Sequence, residues 1–148
     1  MQQVTFCLLG DSSLTDFAAR LAKHCYQQQK PCLVYCATQA QAEAVDEALW
    51  TLAPDDFVPH NLAGEGPRSG APVLIAWEGS GPVRGRPALI NLHDSVPQVA
   101  VHCQDIFEAV PEDDSGKQAA RQRFVQYRQQ GIQPATAPLP DVLAQTHR

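Results

Sequence analysis

Short apolar runs separated by longer amphipathic segments predict that this chain alternates between strands and helices. Five runs have the length and composition of buried strands, and they span residues 4–9, 32–36, 73–77, 88–92 and 105–110. Such alternation is typical of a parallel sheet with right-handed crossovers and helices packed on its faces.

Three segments have helical periodicity. Ser13 is a potential N-cap with Asp16 three residues later, and Thr38 has the same spacing to Gln41. A third helix is predicted from about 114 to 130, because acidic residues precede it and Gly131 follows. The predicted inner faces of the first two helices are Leu14, Phe17, Leu21 and Cys25, and Ala42, Val45, Leu49 and Leu52.

The predicted fold class is α/β. We expect residues 1–133 to form a single domain with a mainly parallel sheet of about five strands and helices on both faces, a Rossmann-like topology without a nucleotide site. Residues 134–148 contain three prolines, which favour an extended, partly disordered C-terminal tail, although Val142 and Leu143 could dock on the domain.

Composition and charge restrict the possible partners. The 148 residues are 44% hydrophobic and carry a net charge of -5, which argues against a protein that coats nucleic acid over its whole surface. Any DNA contact is expected to be mostly indirect. The sequence contains no apolar run of the roughly 20 residues that a membrane helix needs, and no basic leader precedes a long apolar run. We therefore expect a soluble cytoplasmic protein that does not enter a membrane.

Candidate sites for a cofactor, a metal or catalysis are weak. Gly64, Gly66 and Gly70 lead into a strand, whereas a phosphate loop follows a strand and opens a helix. The five cysteines form no CxxC pair, so neither a zinc site nor a disulfide framework is indicated. His60, His93 and His102 are possible bases, but no GxSxG motif accompanies them.

We expect no cofactor, no metal and no catalytic residue. The alternative is a small nucleotide-dependent or hydrolytic α/β enzyme, which would bind its ligand at the carboxyl ends of the strands.

The third predicted helix concentrates positive charge in an acidic protein. Its basic residues are Lys117, Arg121, Arg123 and Arg128, four of the eleven in the chain. Positions 117, 121, 124 and 128 follow one stripe of a helix, which places Phe124 among the cations. This stripe is either an ordinary solvated face or a site for an acidic peptide with a hydrophobic terminal residue and a free carboxylate. A third interpretation of the stripe is that it binds single-stranded DNA directly, although only Phe124 and Tyr127 supply aromatic rings for base stacking.

The loop at 54–67 places the apolar residues Phe57, Val58 and Leu62 among Pro, Gly and Asp. These side chains either fold back onto the core or form a protein interface, for which a proline-framed loop limits the ordering cost.

A longer motif includes this loop. From Asp46 to Trp77 the chain reads DEALW, then FVPHNLAGEGP, then an apolar strand that ends in Trp. This order resembles the chi subunit family of bacterial DNA polymerase III holoenzyme, and the resemblance covers residues 4–9 and 46–77 well and 110–131 moderately. It implies a non-catalytic connector between the clamp loader, reached through the psi subunit, and single-stranded-DNA-binding protein.

Residue roles carried over from the resemblance define two sites. The acidic C-terminal tail of single-stranded-DNA-binding protein would contact Val110, Lys117, Arg121, Phe124 and Arg128. The psi subunit would contact Phe57, Val58, Pro59 and Leu62. Phe124 stands where relatives have Tyr, so this chain would lack that hydroxyl.

Overall fold

A computed structural model describes residues 2–51, 57–65 and 71–145. The strands are β1 (Gln3–Leu8), β2 (Cys32–Cys36), β3 (His60–Leu62), β4 (Val73–Trp77), β5 (Ala88–Asn91), β6 (Asp105–Val110) and β7 (Ala135–Pro138). The α-helices are α1 (Leu14–Gln27), α2 (Gln39–Trp50), α3 (Asp114–Gln129) and α4 (Leu139–Ala144), and Gln98–His102 forms a 3₁₀ helix.

All strand pairs in the sheet are parallel, in the order β3-β4-β2-β5-β6-β1-β7. The predicted α/β class is confirmed, and each of the five predicted strands is present. The sheet has seven strands because short segments pair with each of its outer members. β3 adds to β4, and β7 adds to β1.

Side-chain caps start the first two helices where the sequence predicts. The Ser13 hydroxyl accepts a hydrogen bond from the Asp16 N–H at 3.0 Å, and the Thr38 hydroxyl accepts one from the Gln41 N–H at 3.1 Å. Each bond satisfies an N–H group that has no partner within the helix. The predicted inner positions are buried or half-buried apart from Leu52, which lies outside the described residues.

The helices cover both faces of the sheet. Residues of α1, α2 and α4 form one apolar cluster with one face of the strands, and residues of α3 and the 3₁₀ helix form a second cluster with the other face. Successive side chains of a strand point to opposite faces, so Ile106 belongs to the second cluster and Phe107 to the first.

The segment from 135 to 144 is not an extended tail. β7 pairs with β1 from Thr5↔Ala135 to Leu8↔Pro138, and α4 then buries Leu139 and Val142 against the first cluster. Pro140 is tolerated because it lies in the first turn of α4, where its missing N–H would have no helical partner. The expectation of an extended tail is therefore corrected for these residues, and 146–148 lie outside the described residues.

Candidate functional site: a basic helix and an aromatic loop

Helix α3 begins at an aspartate cap. The Asp113 carboxylate accepts hydrogen bonds from the Gly116 N–H and the Ser115 hydroxyl, both at 2.8 Å. The bond from the Gly116 N–H is the main cause that lowers the pKa of Asp113. The cap fixes the first turn of the helix, directly before the basic stripe.

The basic stripe is the set Lys117, Arg121, Phe124 and Arg128 on α3. Arg121 and Arg128 are exposed, and the Lys117 ammonium lies 4.0 Å from a Glu112 carboxylate oxygen. Both side chains of this ion pair are largely exposed, so the free energy lost when Lys117 turns from Glu112 to a ligand is small. The stripe thus offers cations that can bind the carboxylates of a ligand.

An apolar surface adjoins the cations. The half-buried Phe124 ring lies 5.2 Å from the Phe6 ring, centroid to centroid, and packs with Val110 on the second apolar cluster. Val110 is half-buried at the last position of β6. Cations beside a partly exposed apolar surface suit a peptide that combines carboxylates with a hydrophobic side chain.

One of the four basic residues of α3 points inward. The Arg123 side chain is buried, and its Nε donates to Glu108 Oε1 at 2.8 Å. Basic-residue spacing does not predict this arrangement, but the sequence carries two signals for it: Glu108 is an acid inside the strand DIFEAV, and position 123 lies between Ala120 and Tyr127 on the inner face. A buried carboxylate requires a partner of this kind.

The residues of the 57–62 loop have different exposures. Phe57 is 57% exposed, whereas Val58 is 1% exposed and belongs to the first apolar cluster. Pro59 is half-buried, and the half-buried Leu62 packs against the same cluster. Val58 and Leu62 therefore anchor the loop, and Phe57 is presented to solvent. The remaining loop positions 54–56 and 66–67 lie outside the described residues.

Trp50, the last residue of α2, has no role predicted from sequence and joins Phe57 in an exposed aromatic pair. Trp50 is 59% exposed, and its ring centroid lies 5.6 Å from that of Phe57 and 4.9 Å from that of His60. The His60 ring Nδ1 lies 2.7 Å from the Val58 carbonyl oxygen; Nε2 lies 3.0 Å from Asp46 Oδ1 of α2, although the angles there form no hydrogen bond. The loop is thereby tied to helix α2, and the aromatic pair has a defined position.

The two surfaces lie on opposite halves of the sheet. β3, which follows Phe57 and Pro59, is an edge strand. α3 packs over β6 and β1 near the other edge, and its Phe124 and Tyr127 rings contact Phe6 of β1. A ligand on one surface would leave the other accessible.

A cavity of about 590 Å³ opens at the carboxyl ends of β2, β4 and β5, the region in which open α/β sheets bind ligands. Its polar side chains are those of Tyr35, Glu78, His93, Ser95, Gln98 and His102. His93 Nε2 lies 3.3 Å from Glu78 Oε2. Burial, together with Glu78, raises the pKa of Tyr35, so its hydroxyl is protonated at neutral pH. The described residues that line the cavity include neither lysine nor arginine, so it offers no permanent positive charge to a phosphate group.

Metal-ligating groups, membrane-spanning helices and cysteine thiols can each be assessed within the described residues. They contain no group of three or more His, Cys, Asp or Glu side chains that could hold a metal ion. In the same ranges, no helix combines the length and the apolar character required to cross a bilayer. All five cysteines are buried and none forms a disulfide. Burial raises the pKa of Cys7 and Cys36 to about 12, so both are unreactive thiols at neutral pH.

Comparison with known proteins gives consistent results. The family model of the DNA polymerase III chi subunit, HolC, matches residues 1–135. The chain is 40% identical to DNA polymerase III subunit chi of Escherichia coli K12 over 144 residues, which cover 93% of this chain and 98% of that protein. It is 38% identical to the Haemophilus influenzae subunit over 128 residues, 85% of this chain and 89% of that one. The Pseudomonas aeruginosa subunit is 35% identical over 120 residues, 81% and 82% of the two chains.

A solved structure supports the fold alone. A DEAD box protein from the hyperthermophile Methanococcus jannaschii superposes with a TM-score of 0.56 at 13% identity. The match covers 93% of this chain but only 42% of that protein. Fold similarity of this kind carries no information about function.

On the sequence comparisons, the chain belongs to the DNA polymerase III chi subunit family, whose members are replication accessory subunits that are not catalytic alone.

Proposed function

We propose that this protein links the clamp loader, through the psi subunit, to the acidic C-terminal tail of single-stranded-DNA-binding protein during DNA replication in the bacterial cytoplasm. One observation carries the proposal: a cationic surface with an aromatic ring and an exposed aromatic pair lie on opposite halves of one sheet. A connector needs two such surfaces that do not overlap.

The basic stripe is the proposed site for the tail. Lys117 and Arg121 bind the carboxylates of the acidic peptide, and Arg128 extends the positive surface along the helix. The terminal hydrophobic side chain packs against Val110 and Phe124, which are partly exposed on the same apolar cluster. Cations and an apolar surface together distinguish this peptide from an acidic segment without a hydrophobic terminus.

The 57–62 segment, with the exposed pair of Trp50 and Phe57, is the proposed site for psi. Phe57 supplies the exposed anchor and Pro59 restricts the loop, while Val58 and Leu62 hold it on the core. An aromatic side chain on a fixed loop loses little conformational freedom on binding, which favours it as an interface anchor. Trp50, in contact with Phe57, extends this surface.

Contact with DNA is mostly indirect in this proposal. The chain has a net charge of -5, and the basic stripe contributes only three cations. The affinity for a nucleic acid increases with the number of cations that displace its counterions. The basic stripe, with three cations, is therefore better suited to bind a short acidic peptide than a long polyanion.

Peptide titration tests the tail site. We expect the wild-type protein to bind a fluorescent acidic peptide that ends in Asp-Phe, with affinity that falls as salt rises, because exposed charges are screened. Arg121→Ala should weaken binding about tenfold, equivalent to about 1.4 kcal/mol. The matched control is Arg20→Ala, which removes an exposed arginine of α1 and should change affinity less than about twofold.

Two outcomes contradict the tail proposal. The first is equal loss of affinity in Arg121→Ala and Arg20→Ala, which would indicate attraction to net charge alone. The second is a wild-type protein that ignores the peptide and binds single-stranded oligonucleotides directly.

A further inference from the structure

Glu108 is the single fully buried carboxylate among the described residues. It lies on β6 at 0% exposure, and burial is the main cause that raises its pKa. Arg123, Tyr127 and Asn91 act in the opposite direction, since each stabilises the ionised form. Burying an ion pair costs desolvation that an apolar pair would avoid, so this cluster is poorly explained as a means of raising stability.

Both carboxylate oxygens of Glu108 accept hydrogen bonds. Arg123 Nε donates to Oε1 at 2.8 Å, and the Tyr127 hydroxyl donates to Oε2 at 2.6 Å. Asn91 Nδ2 lies 3.1 and 3.0 Å from the two oxygens. The Glu108 cluster, as we call Glu108, Arg123, Tyr127 and Asn91, therefore ties α3 to β6 and β5.

Arg123 extends the connection to the backbone. Its Nη2 donates to the Ala109 carbonyl at 2.9 Å, and its Nη1 donates to the Asp94 carbonyl at 3.1 Å. A planar guanidinium with three partners in different directions holds a single orientation, which a flexible lysine could not reproduce. Two side chains of α3, one helical turn apart, are thus fixed by directional bonds.

We infer that Glu108, Arg123 and Tyr127 are positioning residues for the acidic-peptide site, because they fix the rotation of α3 about its axis and so direct Lys117 and Arg121. The inference rests on the proposed function. None of the three needs to touch the peptide, since Glu108 is buried in β6 beneath α3 and the buried Arg123 and Tyr127 point inward from the helix.

The placement of the stripe makes rotation important. At about 100° per residue, Lys117 and Arg121 lie on average about a third of a turn from the inward positions of Arg123 and Tyr127, on the side of α3 that also carries Phe124. Rotation in one direction would turn the cations away from the apolar surface of Val110, and rotation in the other would bury them.

Apolar packing alone is poorly suited to hold this rotation. The inward positions of α3 are Ala120, which is small, Arg123, which is charged, and Tyr127, whose buried ring packs edge-on against Phe6 and whose hydroxyl donates to Glu108. The half-buried Phe124 also contacts Phe6, at the edge of the interface. Apolar burial is proportional to area and has no direction, whereas hydrogen bonds weaken steeply when their angles change. The directional bonds of the Glu108 cluster supply the missing constraint.

The decisive variant is Tyr127→Phe, which removes one hydroxyl and leaves the ring and the ion pair in place. The control is Ile75→Val, which trims a buried residue of β4 on the opposite face of the sheet. Peptide affinity is measured well below both melting temperatures, where each variant is almost fully native. Reduced stability alone cannot change affinity under these conditions.

We expect Tyr127→Phe to weaken binding of the peptide ending in Asp-Phe about three- to tenfold, and to raise amide hydrogen exchange in residues 117–128. Ile75→Val should lower the melting temperature but leave affinity within about twofold and exchange in α3 unchanged. Wild-type affinity in Tyr127→Phe, with the wild-type protein binding the peptide, overturns this inference alone. A wild-type protein that ignores the peptide overturns the proposed function instead, and the peptide role of the cluster with it.

Discussion

The pKa of the Asp113 carboxylate, which caps helix α3, makes the stability of the protein depend on pH. Its folded-state pKa is lowered by the Gly116 N–H and the Ser115 hydroxyl. A lowered pKa means that the contribution to stability is fully present above the unfolded value of 3.8 and is lost as the pH falls through the lower folded value. We expect Asp113→Asn, which retains a capping oxygen, to remove this part of the acid destabilisation.

Thermal melts between pH 2.5 and 7 measure the effect of Asp113. At pH 7, Asp113→Ala should lower the melting temperature more than Asp113→Asn, because alanine cannot accept the Gly116 hydrogen bond. Identical melting temperatures for the two variants throughout this pH range would show that the cap does not stabilise α3.

Gly85 is required for steric reasons. A Cβ atom at this position would lie 2.3 Å from the His102 carbonyl oxygen, well inside contact distance, and backbone atoms cannot move aside as a flexible side chain can. Gly85→Ala should therefore separate this segment from the 3₁₀ helix and destabilise the protein by about 1–3 kcal/mol, as overpacking does. Urea denaturation provides the measurement, and Arg84→Ala, at the exposed neighbouring position, is the control. Equal stability of the two variants would contradict the packing argument.

At the scale of elements, α4 is part of the core. Val142 is 0% exposed and Leu139 is 1% exposed, and both belong to the apolar cluster of α1 and α2. Val142→Ala should destabilise the protein by about 1–3 kcal/mol, through lost burial and the cavity that remains. Gln145→Ala, at an exposed position directly after the helix, should change stability by less than about 0.5 kcal/mol. Equal urea midpoints for the two variants would restore the extended tail that the sequence predicts.

The elements that the sequence predicts well are those whose pattern is local. The five predicted strands are mainly apolar segments, and the caps of α1 and α2 need only Ser13 or Thr38 with its neighbours. β3 and β7 have three and four residues and no apolar run of their own, so they become strands only through pairing with β4 and β1. Such pairing depends on the sheet edge that the rest of the chain supplies.

The candidate sites also combine features that are local in the sequence with features that depend on distant residues. The stripe of Lys117, Arg121 and Phe124 follows from helical spacing, and the family motif adds the loop at Phe57. The inward direction of Arg123 depends on Glu108, which is 15 residues away in the chain, so a count of basic residues could not separate it from the exposed ones. The aromatic pair requires the loop to fold back beside Trp50, which spacing along the chain does not indicate.

At the scale of the whole molecule, the proposed connector requires two surfaces that work independently. The aromatic pair lies near the β3 edge, and the basic stripe lies over β6 and β1. Residues that share no contacts and are well separated usually contribute additively. Occupation of one surface should therefore leave the affinity of the other nearly unchanged.

Two variants test this independence. Phe57→Ala should abolish stable association with psi while peptide affinity stays within about twofold, because a truncated anchor removes most of the binding energy of a small interface. Arg121→Ala should have the reverse effect, and Tyr26→Ala, which truncates an exposed aromatic of α1, should change neither. In size-exclusion chromatography with psi and the labelled peptide, we expect only wild type and Tyr26→Ala to carry both partners in one peak. Loss of peptide binding in Phe57→Ala at unchanged stability would mean that the two surfaces are coupled, and unfolding of Phe57→Ala would assign this exposed ring to the core.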